Sequence, residues 1–265
     1  VVAGATGATP DQLPLPVGLE VAGVVTAVGP DATGPAGPVA VGDEVVAQPV
    51  TGGYADTVVV PASVVVPKPP AVDWPVAGSI LSVGGTAEHA LQIAAAKAGE
   101  TLLVHGAAGS VGQIAVQLAV RDGVRVIGTA GESNHELLRS YGAIPVTYGP
   151  GLADRVRAIA PDGVDAAIDT VGTDEAVDTS LELVTDHRRI VSIAAFGRAD
   201  SGIVLISGDD PETHVRANAW RRLLPAAADG SLKIVVTRTY HLTEAAEALQ
   251  FVRDGHAGGK VVLIP

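Results

Sequence analysis

The sequence predicts an α/β protein in which a doubly wound parallel sheet is joined to a β-rich region. Three observations carry this prediction. From Thr101 onwards apolar runs alternate with amphipathic ones, the stretch before Pro67 consists of short Val-rich runs between Gly and Pro residues, and a glycine-rich turn joins an apolar run to a helical pattern. Repeated βα units imply parallel strands with right-handed crossovers.

The β-rich region extends from Pro16 to Pro67. Its apolar runs are short, rich in β-branched residues and separated by turn signals such as Gly42-Asp43. The runs predict strands over Glu20–Val28, Glu44–Ala47, Ala55–Val60 and Val64–Val66.

The elements that follow are predicted from hydrophobic periodicity, with helical structure first over Ala77–Ala98. We expect strands over 101–105, 124–129, 144–147, 164–169, 188–194 and 203–206, and helices over 111–121, 133–141, 152–159 and 173–184. A long helix over 212–228, a strand over 233–239, a helix over 243–254 and a strand over 260–264 complete the chain. This closing segment either extends the parallel sheet or returns to the β-rich region.

The composition excludes several classes of protein. Hydrophobic residues make up 47% of the chain and charged residues 17%, which is too apolar for a disordered protein. No apolar run reaches the roughly 18–20 residues of a membrane helix, so no membrane partner is expected. Acidic residues outnumber basic ones by 29 to 17, and Lys and Arg are not clustered, so nucleic acid is not expected as a partner either.

Cys and Met are both absent from the 265 residues. Without Cys the chain has no disulfide and no thiolate ligand for a metal. The beginning of the sequence shows no signal-peptide pattern, so a cytoplasmic location is expected. Because a chain without Met begins at Val1, we expect it to be a fragment whose original start is missing.

The most informative motif is the glycine-rich turn over Gly106–Gly112, which follows an apolar run and leads directly into a helical pattern. The first glycine permits a sharp turn, the second lets the backbone approach a pyrophosphate, and the third lets the helix pack on the sheet. The N-terminus of the helix then faces the phosphates. The motif predicts a Rossmann-type dinucleotide site formed by Gly106, Ala108, Gly109, Ser110, Val111 and Gly112.

Two other interpretations of the same turn stay open. Ser110 is placed as in a nucleophile elbow, and His241 and Asp169 would then complete the triad of a serine hydrolase. Ala108 stands where such an elbow has its first glycine, and the β-rich region has no place in a hydrolase sheet of that type. A nucleotide-binding protein without catalysis is the other alternative.

The end of the second strand of the predicted sheet decides which dinucleotide is preferred. NAD sites carry an acidic residue there that binds the ribose 2′-hydroxyl, whereas this strand ends at Thr129 and Ala130. Glu132 follows in a loop, and His135 and Arg139 lie one helical turn apart, where they could approach a 2′-phosphate. The pattern favours NADP(H).

Six segments, taken together and in order, resemble the medium-chain dehydrogenase/reductase superfamily. Within it the chain is most similar to the zinc-independent quinone oxidoreductases, the branch that includes zeta-crystallin. The six segments are Gly18–Val25, Val41–Val45, Gly52–Asp56, Val64–Pro69, Gly106–Gly112 and Gly258–Leu263. They span almost the whole chain.

The resemblance implies a domain organisation. A GroES-like substrate domain is expected over 1–75 and 226–265, and a Rossmann dinucleotide-binding domain over 76–225. The first strands of the GroES-like domain, with an Asn-containing loop, are expected to be missing.

The resemblance also implies that the protein binds no metal. Zinc-dependent members carry Gly-His-Glu where this chain has Gly18-Leu19-Glu20, and there is no Cys for the other ligands. The seven His residues show no paired ligand spacing.

Cofactor contacts beyond the glycine turn follow from the resemblance too. The NADPH pocket of this branch has a Lys after the second strand and a Tyr after the third, positions held here by His135 and Tyr148. A neutral imidazole attracts a phosphate less strongly than an ammonium group does. The further contacts expected are Thr86, Thr129, Ala130, Val171, Gly172, Ala195, Phe196 and Lys260. Three of them also have simpler interpretations: Thr86 as a helix cap, Phe196 as a core residue and Lys260 as a solvated charge.

The activity that the resemblance implies is hydride transfer from NADPH to a small quinone or α,β-unsaturated carbonyl compound. Tyr54 follows two glycines on a loop, and its counterpart in the family lines the substrate site. Tyr54 is therefore the candidate donor to the developing oxyanion, and lining the pocket without catalysis is an equally good interpretation. Two Trp, four Tyr and two Phe are few for a large planar substrate. Members of this branch pair as dimers, which implies a homodimer.

Overall fold

The computed structural model describes residues 15–207, 213–255 and 257–265. The chain divides into two compact units. Val1–Ser82 and Ala217–Pro265 form one, which we call the terminal unit, and Val83–Arg216 form the other, the central unit. The domain limits expected from the resemblance, at 75 and 225, stay a prediction, because they rest on family likeness rather than on contacts.

The terminal unit contains a three-stranded antiparallel sheet in which residues 44–47 form the central strand, between residues 21–24 and 65–67. Its centre is held by an apolar cluster of Ala47, Val50 and Val65. A two-stranded hairpin lies between the first and second of these strands in sequence. The five strands are β1 Val21–Val24, β2 Thr33–Gly34, β3 Gly37–Pro38, β4 Glu44–Ala47 and β5 Val65–Pro67.

The strand predicted over Ala55–Val60 is wrong, because the structure has no strand there. The alternation that suggested it is real, since Val58 and Val60 pack against the apolar cluster while Val59 is almost fully exposed. A strand also needs a neighbour to accept and donate its backbone hydrogen bonds, and no described strand pairs with this segment.

Helix α1 covers Trp74–Ala94 rather than the predicted Ala77–Ala98. It ends where Ala95 adopts a left-handed conformation with φ of 49°. The guanidinium of Arg189 donates to the carbonyls of Ala94 and Ala95, both at 3.0 Å, and so satisfies the end of the helix.

The central unit is built on a six-stranded parallel sheet. Its strands are β6 Thr101–His105, β7 Arg125–Thr129, β8 Ile144–Val146, β9 Ala166–Asp169, β10 Ile190–Ser192 and β11 Val204–Leu205. They lie in the order β11-β10-β9-β6-β7-β8. The helices between them are α2 Ser110–Arg121, α3 His135–Ser140, α4 Leu152–Ile159 and α5 Asp174–Leu183. The predicted Rossmann-type sheet and its helices are confirmed.

The sheet is apolar because both of its faces are covered. Every residue of β6 and β9 is buried. On one face Leu103, Ile127 and Ile190 pack with Val156 of α4 and Val177 of α5. The strand order reverses between β6 and β9, which is the place where open α/β sheets bind their ligands, at the carboxyl ends of the strands.

The single long helix expected over 212–228 is two helices, α6 Thr213–Asn218 and α7 Trp220–Ala228, and residue 212 lies outside the described residues. Ala219 between them keeps helical torsion angles, so the interruption concerns hydrogen bonds rather than the conformation of this residue. After α7 come β12 Val236–His241, α8 Ala245–Arg253 and β13 Lys260–Ile264. β12 and β13 form a separate parallel pair within the terminal unit and do not extend the six-stranded sheet.

None of the helices in the described part of the chain is both long enough and apolar enough to cross a membrane.

Candidate functional site

The glycine-rich turn connects β6 to α2 at the carboxyl edge of the parallel sheet. Gly106 has a φ of 68°, and a Cβ there would lie 2.5 Å from Thr170 Oγ1. Gly112 touches the turn itself, since a Cβ on it would lie 2.3 Å from the carbonyl oxygen of Gly106. The sharp turn and the close packing that the spacing predicted are therefore present.

Gly109 lies where the turn meets the helix and is exposed. It is the residue before α2, and the first i to i−4 hydrogen bond of the helix runs from Gln113 N to Gly109 O at 2.8 Å. The amides of Ser110, Val111 and Gly112 precede that bond, so they belong to the group of N–H donors that a helix leaves unsatisfied at its start. With the helix dipole, these amides can hold a diphosphate.

Gln113 and Tyr141 fix the turn from behind. The Gln113 side-chain amide donates to the carbonyl of Ala108 at 2.6 Å, and the buried hydroxyl of Tyr141 donates to Gln113 Oε1 at 3.2 Å. This holds the Ala108 carbonyl toward Gln113. The sequence interpretation missed both residues, because neither belongs to the spacing of the motif.

Four predicted cofactor residues lie around the ends of β7 and β8. Thr129 and Ala130 are buried, and Thr129 Oγ1 accepts a hydrogen bond from Gly106 N at 3.3 Å, so Thr129 supports the turn from the neighbouring strand. The Tyr148 side chain is exposed, and its hydroxyl would lie 3.7 Å from a Cβ built on Gly131. His135 Nε2 lies 3.4 Å from the carbonyl oxygen of Ala130. The structure thus brings His135 and Tyr148 to the same loop.

Arg139, the second candidate for a 2′-phosphate, forms an ion pair with Glu136 on its own helix. Glu132 is exposed in a short 3₁₀ helix that follows Gly131.

Two loops follow β9 and β10 and carry four further predicted contacts of the central unit. Val171 and Phe196 have exposed side chains, which rules out the core role considered for Phe196. Gly172 packs on the second loop, since a Cβ there would lie 2.6 Å from the carbonyl of Ala194. Ala195 is buried just before Phe196.

Asp169 and Ser192, the last residues of β9 and β10, hold these two loops, and sequence reasoning did not assign them this role. Asp169 Oδ1 accepts from Val171 N at 2.9 Å and from Gly172 N at 3.0 Å. Ser192 donates to Asp169 Oδ2 at 2.6 Å. No spacing rule connects two residues on different strands, which is why no sequence signal pointed to the pair.

The hydrolase interpretation receives no support from these contacts. Asp169 binds the loop amides, while His241 caps a 3₁₀ helix, where its Nδ1 accepts from Thr243 N at 3.3 Å. Thr86 lies inside α1 and so does not cap that helix, contrary to the simpler role considered for it.

Tyr54, in the terminal unit, is half-buried on a loop whose path is fixed by its neighbours. Tyr54 N donates to Val17 O at 3.1 Å, and Gly53 N donates to Gly18 O at 3.0 Å. A Cβ on Gly18 would lie 2.6 Å from Tyr54 N, so the two segments are in direct contact. Burial raises the pKa of Tyr54 above its ordinary value of 10.0. The phenol is therefore protonated at neutral pH.

Glu20 is a second polar residue of the terminal unit that the sequence interpretation did not single out. Its carboxylate accepts hydrogen bonds from Leu81 N and, at 3.2 Å, from Ser82 N. Burial raises its pKa to about 7, against the lowering effect of the Lys260 charge and of these amides. Lys260, at the start of β13, therefore lies close enough to act on Glu20 electrostatically.

Within the described ranges there is no group of three or more His, Asp or Glu side chains arranged to hold a metal ion.

Comparisons with known proteins place the chain in a family. An alcohol dehydrogenase GroES-like domain model matches residues 1–70, and a zinc-binding dehydrogenase model matches residues 141–263. Polyketide synthase GfsB of Streptomyces halstedii is 34% identical over 98% of this chain, and the pikromycin polyketide synthase component PikAII of Streptomyces venezuelae is 33% identical over 98%. The chain spans only 5% and 7% of the length of these two relatives.

Solved structures match over much more of their own length. A mycobacterial protein complexed with NADPH is 30% identical, with a TM-score of 0.84 over 99% of this chain and 85% of that one. A mycobacterial quinone oxidoreductase is 31% identical, with a TM-score of 0.80 over 97% and 84%. The CurK enoyl reductase is 25% identical, with a TM-score of 0.82 over 95% and 80%. With this likeness in sequence and fold, the chain belongs to the medium-chain dehydrogenase/reductase superfamily, in its zinc-independent quinone oxidoreductase-like branch.

Proposed function

We propose that this chain is an NADPH-dependent oxidoreductase that reduces a carbon–carbon double bond conjugated to a carbonyl group. The observation that carries the proposal is the N-terminus of α2, where the amides that follow the exposed Gly109 face the carboxyl edge of a parallel sheet. When bound, NADPH supplies the hydride. The complex of the mycobacterial structural relative with NADPH supports this choice of cofactor.

The residues around α2 would bind the diphosphate. The amides of Ser110, Val111 and Gly112 would donate to it. The carbonyl of Ala108 would be an unfavourable neighbour for an anion, but it accepts a hydrogen bond from the Gln113 side chain. The contacts of Gly106 and Gly112 leave the turn little freedom to rearrange.

His135 and Tyr148 would bind the 2′-phosphate, because both lie beside residues 130–131, which follow β7. Strand β7 ends at Thr129, and no acidic residue stands at its end to repel this phosphate. The exposed side chains of Val171 and Phe196, with Gly172 and Ala195 beside them, would line the nicotinamide end.

Tyr54 would donate to the oxygen on which negative charge develops during the reduction. A phenol keeps its proton at neutral pH even at its ordinary pKa of 10.0, and burial raises the pKa of Tyr54 further, so Tyr54 can give a hydrogen bond or the proton itself. Thr86 and Lys260 complete the set of proposed cofactor contacts.

The acceptor we propose is an α,β-unsaturated carbonyl compound. The support comes from the polyketide synthases among the relatives and from the enoyl reductase among the similar structures. A quinone is the second candidate, since a mycobacterial quinone oxidoreductase has the same fold at 31% identity. Pairing of two copies of the chain is a further part of the proposal and is testable by light scattering.

Calorimetric titration of the protein with NADPH and with NADH tests the cofactor. We expect saturable binding of NADPH with higher affinity than NADH. Oxidation of NADPH, followed at 340 nm with a short trans-2-enoyl thioester or with 1,4-benzoquinone, then separates the two acceptors. Absence of NADPH binding, or labelling of Ser110 by a serine-directed acylating probe, would contradict the proposed function.

A further inference from the structure

We propose that Asp169 and Ser192 are positioning residues that fix the two loops at the nicotinamide end before any cofactor binds. The inference rests on the proposed function, because it assigns these loops, residues 170–172 and 193–196, to the bound NADPH. We call the pair the Asp169–Ser192 clamp.

The clamp begins with the sheet itself. Asp169 ends β9, Ser192 ends β10, and the two are direct partners in the parallel register. On the other side of β9 the partner of Asp169 is His105, the last residue of β6. The clamp thus lies at the centre of the edge where the site is proposed.

Asp169 gathers the amides of the first loop. Its Oδ1 accepts from Val171 N at 2.9 Å and from Gly172 N at 3.0 Å, and Gly172 N is also 3.2 Å from Oδ2. Thr170, between them, donates from its hydroxyl to the carbonyl of His105 at 2.9 Å. Both oxygens of Asp169 are acceptors, as a carboxylate requires.

Ser192 gathers the amides of the second loop. Its Oγ accepts from Ala194 N at 3.1 Å and from Ala195 N at 2.9 Å, and its hydroxyl proton goes to Asp169 Oδ2 at 2.6 Å. One hydroxyl therefore ties the second loop to the carboxylate that holds the first. The close approach of Gly172 to the Ala194 carbonyl adds direct contact between the loops.

The burial of Asp169 and Ser192 indicates that their hydrogen bonds to the loops are needed, because burying a carboxylate costs free energy. Asp169 and Ser192 are fully buried, while Val171 and Phe196 on the loops they hold are exposed. A buried carboxylate is tolerated only when its acceptors are satisfied, and here amides and a hydroxyl satisfy them. The pair is directed at loop amides and fixes the loops that present the exposed side chains. Because the loops are already ordered, less conformational entropy is lost when a cofactor binds to them.

Asp169→Asn tests the clamp with almost no change in shape. Whichever way the amide is turned, its NH₂ group faces a donor. It meets either the amides of Val171 and Gly172 or a Ser192 Oγ that already accepts twice. Ser192→Ala is the milder variant, since it removes one hydroxyl and leaves the carboxylate.

Two matched controls are available in the same unit. Asp165→Asn makes the same chemical change at the opposite edge of the sheet, where Asp165 Oδ2 accepts from Thr101 N at 2.8 Å. Ser180→Ala removes a fully buried hydroxyl from α5, where the Ser180 oxygen is 3.0 Å from His105 Nε2. The side-chain hydrogen bonds that the structure shows for the two control residues go to Thr101, His105 and Ala176, none of which belongs to the two loops.

Hydrogen exchange is measured first, on the protein without cofactor. We expect the amides of Val171, Gly172, Ala194 and Ala195 to exchange at least about tenfold faster in Asp169→Asn and Ser192→Ala than in the wild type, relative to the core strands. In the two controls their exchange should follow the core. Equal exchange in clamp and control variants would overturn the clamp regardless of NADPH.

Steady-state kinetics give the second readout. We expect the KM for NADPH to rise about tenfold or more in the clamp variants, with a smaller loss in kcat, and the KM of the controls to stay within about twofold of the wild type. A rise of the same size in Ser180→Ala would show that general destabilisation is the cause and would overturn the positioning role. If the wild type fails to bind NADPH, the proposed function fails, and the exchange result still decides whether the clamp orders the loops.

Discussion

The loop that carries Tyr54 is held by backbone contacts, and burial raises the pKa of its phenol above the ordinary value. Tyr54 N is bonded to Val17 O, and Gly18 packs against the same peptide. Removal of the hydroxyl should therefore leave the loop intact and remove only the donor. This separation of structure from chemistry makes the residue a clean test of the proposed mechanism.

We expect Tyr54→Phe to lower kcat for the enoyl thioester by about 10²-fold, the usual loss when one acid–base group is removed. The KM for NADPH should not change, because the cofactor contacts proposed in the central unit are untouched. Stopped-flow oxidation of NADPH at saturating acceptor measures the step. An unchanged kcat would leave Tyr54 as a wall of the pocket.

His135 stands where the related branch has a Lys, and the structure places it beside the carbonyl of Ala130. We expect His135→Lys to increase the affinity for NADPH by about tenfold, because the ammonium group of Lys is fully charged at neutral pH and attracts the 2′-phosphate. The affinity for NADH, which has no 2′-phosphate, should stay the same. Parallel calorimetric titrations measure both. A similar gain for the two cofactors would contradict the assignment of the 2′-phosphate to this loop.

At the scale of elements, Gly109 and Gly112 look equivalent in the motif but have different surroundings in the turn between β6 and α2. A Cβ on Gly112 would collide with the Gly106 carbonyl at 2.3 Å, whereas one on Gly109 would lie 3.3 Å from the same oxygen and face solvent. The fold leaves no room for a side chain at Gly112, whereas a methyl group at the exposed Gly109 would make a tight contact that a small shift can relieve.

Gly112→Ala should therefore destabilise the protein by about 1–3 kcal/mol, as overpacking does, whereas Gly109→Ala should change stability by less than about 1 kcal/mol. Gly109→Ala should instead weaken NADPH binding, because its methyl group occupies the approach to the amides of α2. Urea denaturation of the two variants measures the free energy of unfolding, and calorimetric titration measures the affinity for NADPH. Loss of stability without loss of binding in Gly109→Ala would contradict the site.

The elements that the sequence predicted well are those whose signal is local. β6 and α2 were expected within one residue of their observed limits, because a continuous apolar run and a glycine turn mark them. The segment Ala55–Val60 was expected as a strand because it alternates, yet a strand also depends on a partner that no local pattern reveals. The same reason separates the glycines of the site, which were predicted, from Asp169, Ser192 and Gln113, whose roles depend on neighbours distant in sequence.

At the scale of the whole molecule, each unit contains a buried titratable group whose pKa is strongly shifted, and the two groups act in opposite directions on stability. Glu20 of the terminal unit has a pKa raised from 4.5 to about 7, chiefly by burial. His105 of the central unit has a pKa lowered from 6.5 to about 4, again chiefly by burial. Its Nε2 lies 3.0 Å from Ser180 Oγ, a contact that suits the neutral ring.

The stabilising contribution of Glu20 is complete below pH 4.5 and is lost as the pH rises through 7, because the folded state holds the proton more tightly than the unfolded chain. That of His105 is complete above pH 6.5 and is lost as the pH falls toward 4, because the unfolded chain takes up a proton that the folded state refuses. Between pH 4.5 and 6.5 the two slopes oppose each other.

Single substitutions should expose each slope. In Glu20→Gln the free energy of unfolding should fall more steeply than in the wild type as the pH is lowered from 7 to 5, by up to about 1.4 kcal/mol per pH unit, because His105 is then unopposed. In His105→Gln it should instead rise over the same range. Urea denaturation at pH 5, 6 and 7 measures both, and the double variant should lose both contributions. If the free energy of unfolding changes with pH in the same direction in both variants, the pKa of at least one of these groups is not shifted by burial.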